Sequence, residues 1–85
     1  MNNSHTVMAI LIDKRTDAAP EVQEVLTDFG CIISTRIGLH GIDECPEDGL
    51  LILHLYGEQS VINNLEQKLK DMSHVKVKKL ELKFD

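Results

Sequence analysis

The chain has 85 residues, with 9 Lys+Arg against 14 Asp+Glu and a formal net charge of −5. That length supports one small core, and a composition of 42% apolar and 27% charged residues is that of a folding chain rather than a disordered one. The acidic balance opposes the phosphate neutralisation on which nucleic-acid binding depends, so no direct nucleic-acid partner is expected, and anionic membrane surfaces are disfavoured for the same reason.

Thr6 to Ile12 is an apolar, partly β-branched run too short for a free-standing helix, which reads as a strand covered on both faces. Asp17 offers a capping side chain, Pro20 suits a first turn, and Val22, Val25, Leu26 and Phe29 recur at helical spacing. A helix is expected over Ala18 to Phe29, ended by Gly30 in a left-handed conformation. Cys31 to Leu39 alternates imperfectly and reads as a strand nearer the sheet edge, with Ile33, Ile37 and Leu39 on one face and Ser34 and Arg36 on the other. His40 to Asp48 is rich in turn formers and charge, as an exposed loop is.

Gly49 opens a second apolar strand, Leu50 to Tyr56, interrupted by His54. Ser60 can cap a second helix whose stripe is Val61, Ile62, Leu65, Leu69 and Met72. The last strand runs from about His74 towards Phe84. Val75 and Val77 alternate in one phase while Leu80, Leu82 and Phe84 alternate in the other, which predicts a β-bulge near Lys78 and Lys79. Lys76, Lys78, Lys79 and Lys83 read as a solvated edge protected against strand pairing.

The order β-α-β-β-α-β is that of the ferredoxin-like α+β fold, a four-stranded antiparallel sheet with two helices on one face. Residues 1–85 are read as a single domain of this kind. Strands one and three, the central pair, are apolar in both phases, yet the helices cover one face only. A homo-oligomer, dimer or tetramer, closed through the open sheet face is therefore expected.

Lys14, the first basic residue, follows the first apolar stretch instead of preceding it, and no apolar run approaches the roughly 18 residues needed to cross a bilayer. A cytoplasmic location is expected, in which Cys31 and Cys45 stay thiols. His40, Cys45 and His54 invite a metal reading, but their spacing lacks the paired short intervals of structural zinc, and no metal site or cofactor is assigned. The loop from Asp13 to Pro20 has no glycine with which to cradle a phosphate, and strand three has no aromatic platform for RNA beyond Tyr56. No nucleophile, base and orienting group form a recognisable set, so no enzyme activity is expected.

Ser34-Thr35-Arg36-Ile37-Gly38-Leu39-His40, the strand Gly49-Leu50-Leu51-Ile52-Leu53, the Val22-Gln23-Glu24-Val25-Leu26 helix and a closing Val75-Lys76-Val77-Lys78 strand resemble the regulator family of the iron-only hydrogenase system. The resemblance covers nearly the whole chain. It implies a free-standing ACT-like domain, related in fold to the ligand-binding domain of nickel-responsive repressors and acting as an oligomeric regulator without a DNA-binding module or catalytic residues. ACT domains commonly bind amino acids at subunit interfaces through a glycine after strand one, which the Asp13–Pro20 loop lacks. The function expected is thus a non-enzymatic regulatory or ligand-sensing domain, with a small metal-binding or metal-delivery protein as the alternative. Arg36, Gly38, His40 and His54 are the candidate ligand or interface residues; Arg36 is expected to point away from the helices, towards an interface or a small-molecule ligand.

Overall fold

The computed structural model describes residues 4–13, 16–39 and 48–84. The elements are β1 (His5–Asp13), α1 (Ala18–Asp28), a 3-10 turn (Gly30–Ile32), β2 (Ile33–Leu39), β3 (Asp48–Leu55), α2 (Gln59–Lys70) and β4 (Val75–Leu82). The strands form one antiparallel sheet in the order β2-β3-β1-β4, with β1 and β3 central. This is the ferredoxin-like α+β fold expected from the element order.

One sheet face lies under both helices because every second residue of the central strands is a large aliphatic. Met8, Ile10 and Ile12 of β1 and Leu53 and Leu55 of β3 are buried, joined by Val75 and Val77 of β4. Val22 and Leu26 of α1 and Ile62, Leu65 and Leu69 of α2 close over them. Each such side chain contributes about 1.5–3 kcal/mol relative to leaving it exposed. Among the described residues no helix is long and apolar enough to cross a membrane.

The ends of the elements depart from the sequence-based expectations for local reasons. Asp17 is the residue before α1 but makes no side-chain cap; Thr16 does that work, its hydroxyl accepting from the Ala18 N–H at 3.3 Å while donating to the Asp13 carbonyl at 2.7 Å. Gly30 is not left-handed, because the chain tightens into the 3-10 turn instead of stopping. The glycine that needs its freedom is Gly57, between β3 and α2, with φ 114° and Ile32 Cγ2 only 3.3 Å from where a Cβ would stand. Helix α2 starts one residue before Ser60, which lies in its first turn, and Glu58 precedes it.

The expected bulge in β4 is absent. Val75 to Leu82 pairs with β1 without a slip, from Ile12↔Val75 to His5↔Leu82. The phase change in the sequence is instead a strand with one face in each half: Val75 and Val77 lie under the helices, whereas Leu80 and Leu82 lie on the opposite face. Lys79, in the helix-facing phase opposite Met8, is not a solvated edge lysine. Its ammonium reaches Glu66 of α2 at 3.2 Å and also donates to the Asn63 side chain, tying α2 to β4. The sheet's irregularity sits in β2, where the register slips between Ile33 and Thr35.

Candidate functional site

The second sheet face carries no element among the described residues. The ladders place Val7, Ala9 and Leu11 of β1 beside His54, Ile52 and Leu50 of β3, with Ile37 beyond Ile52 and Leu80 beyond Val7. Leu11 is 41% exposed, Ile37 48% and Leu80 52%, while Val7, Ala9, Leu50 and Ile52 are half-buried only by one another. Four strands about 4.8 Å apart, of seven to nine residues at about 3.4 Å, make a face of roughly 500 Å². The whole face, Lys76 and Lys78 included, falls in the range of about 300–600 Å² in which the largest exposed apolar patch of a monomer is often functional.

A polar cluster stands at one end of this face. His54 is half-buried, and its Nε2 lies 3.0 Å from Nδ1 of His5, with the two rings stacked at 5.2 Å between centroids. Val7 opposes His54 in the ladder, so His5 is its diagonal neighbour, within reach of a ring. On the other side Ser34 meets His54 Nδ1 and donates its hydroxyl to the His54 carbonyl at 3.2 Å. Ser34 lies at the register slip of β2, and a bulge of this kind re-aims the extra side chain. Sequence reasoning singled out His54 and missed both partners, since the β1–β3 register and the bulge are tertiary facts.

Arg36 is a correction. Past the bulge it pairs with Leu53, on the helix side of the sheet, while Ile37 pairs with Ile52 on the open side. The slip at Ser34 inverts the alternation that an unbroken strand would have, so Arg36 cannot serve the open face. It borders a groove of about 400 Å³ with Leu26, Thr27, Gly30 and Ile33, between the end of α1 and the sheet edge. Gly38 stands in regular register opposite Leu51, where a Cβ would make an ordinary 3.5 Å contact, so no turn or close approach requires glycine there. His40 and Cys45 lie outside the described residues. Among those described, no three His, Cys, Asp or Glu side chains gather as a metal cluster.

Comparison with known proteins now decides the family. A family profile, TM1266-like, described as "Iron-only hydrogenase system regulator, putative", matches residues 5–79. The chain belongs to this family. The uncharacterized protein TM1266 from Thermotoga maritima has a solved structure similar to this chain, with TM-score 0.84 and 29% identity over 93% of this chain and 96% of that one. No curated protein matches. The span matched to the TM1266-like family contains His5, Ser34 and His54, as well as all of the paired central strands.

Proposed function

We propose that this TM1266-like chain is a non-enzymatic, ACT-like regulatory domain that works in the cytoplasm as a homo-oligomer, with its open sheet face buried against a second copy. The observation that carries the reading is the apolar face of β1 and β3. Its centre, Val7, Ala9, Leu11, Leu50 and Ile52, is apolar, with Lys76 and Lys78 of β4 along one side, so a copy related by a two-fold axis meets apolar with apolar. Two such faces remove on the order of 1,000 Å² from water, the lower bound for a specific interface. The family's link to the iron-only hydrogenase system supports a regulatory role. Ligand sensing fits an assembly of this kind, because a pocket completed by two subunits couples occupancy to association.

Sedimentation velocity over a range of concentrations tests the reading. A dimer or tetramer persisting at micromolar protein is expected, and a monodisperse 9.6 kDa species there would contradict it.

A further inference from the structure

We propose that His5 and His54 form a binding site for a divalent first-row transition-metal ion, with Ser34 as its positioning residue. Both ligands belong to one chain and stand at one end of the open sheet face, away from Leu11 and Leu50, so the site goes beyond the oligomeric reading and needs no second copy.

Ser34 touches His54 at both its Nδ1 and its carbonyl, and this suits one tautomer for metal binding. With the Ser34 hydroxyl hydrogen on the His54 carbonyl, the Ser34 oxygen accepts from a protonated Nδ1, and this is the tautomer that a metal at Nε2 selects. Nε2 then carries the lone pair, which accepts from the His5 Nδ1–H until an ion displaces that proton. Holding a histidine through its second nitrogen is what the outer partners of metal-bound imidazoles do.

The second ligand is already in place. An ion with metal–nitrogen distances of about 2.0–2.1 Å needs two neighbouring ligands roughly 2.9–3.4 Å apart. His5 Nδ1 and His54 Nε2 are 3.0 Å apart. On binding, two nitrogen–metal bonds replace two water–metal bonds. The proton that His5 holds on Nδ1 leaves to water while its solvent-facing Nε2 takes one up, so the ring stays neutral.

The ligand type selects the ion, because imidazole suits zinc, copper, nickel and iron, whereas magnesium and calcium take oxygen ligands. His5 is exposed and no third protein ligand converges among the described residues, so water fills the remaining positions. The site is therefore open and exchangeable, unlike a closed structural zinc site. Lys83 shares a shallow groove with His5, Leu82 and Phe84, and solvent screens its repulsion of a cation.

The test is calorimetric titration of tag-free protein with zinc chloride, with magnesium chloride as the control. One zinc per chain and no saturable magnesium uptake are expected, with uptake lost in His5→Ala and in His54→Ala. Ser34→Ala should weaken binding about 10–100-fold, and Ser34→Thr, which keeps the hydroxyl, should restore it. Absence of saturable zinc uptake by the wild-type chain overturns the proposal. So does unchanged uptake in the two histidine variants, or uptake lost in His40→Ala but kept in His5→Ala. A monomer in sedimentation would overturn the oligomer and leave this site standing, since both ligands belong to one chain.

Discussion

The two faces of the sheet are built from the same strands and nearly the same side chains, yet they end in different states. Under the helices, Met8, Ile10, Leu53 and Leu55 are fully buried; on the other side, Val7, Ala9, Leu50 and Ile52 cover only one another. Alternation along a strand sends neighbours to opposite faces, so Leu53 and Ile52 differ in fate by one position. A chain with no use for the second face would alternate apolar with polar residues, as antiparallel sheets open to water do. Apolar residues in both phases are the observation on which the proposed assembly rests.

The difference between the faces can be broken most strongly at Leu53. Leu53→Ala should cost about 2–5 kcal/mol in denaturant unfolding, because a fully buried leucine leaves a cavity in the core. One residue away, Ile52→Lys should act on association instead. The monomer should lose at most about 1 kcal/mol, the price of a poorer strand former, while the assembly dissociates because an unpaired charge would be buried at its centre. Unfolding and sedimentation of the two variants side by side separate the faces, and matching profiles would mean that the faces do not differ in kind.

Smaller effects sharpen the helix-covered side. Gly57→Ala should cost about 1–3 kcal/mol, since alanine resists the positive φ and its Cβ would press on Ile32. Thermal unfolding measures it, and an unchanged midpoint would show that the β3–α2 turn relaxes. Lys79→Met should cost only about 0.5–1 kcal/mol, because its pairing with Glu66 is partly open to water. The same substitution should leave sedimentation unchanged, as Lys79 lies on the helix side.

Much of this was legible in the sequence, and the failures have identifiable causes. The order of elements, the central pair and the apolar open face follow from periodicity, which depends only on neighbours along the chain. Orientation at β2 does not. A single slip at Ser34 turned Arg36 to the helix side and Ile37 to the open face, and nothing in Ser-Thr-Arg-Ile announces it. In β4 the opposite error arose, since a change of phase that reads as a bulge is a regular strand whose second half serves the other face. His54 stood out as the polar interruption of an apolar strand, whereas His5 and Ser34 became its neighbours only through pairing across long sequence separations.

The most direct measurement is the accessibility of isoleucine methyl groups to a soluble paramagnetic agent, followed by NMR on the protein at assembly concentration. Ile10 and Ile62, buried under the helices, serve as the protected reference. If a second copy covers the open face, the methyls of Ile52 and Ile37 are protected nearly as well as these, and Ile52→Lys exposes Ile37. If the Ile52 and Ile37 methyls relax as freely accessible groups in the wild-type protein, the face is open in solution and the account of its apolar residues is wrong.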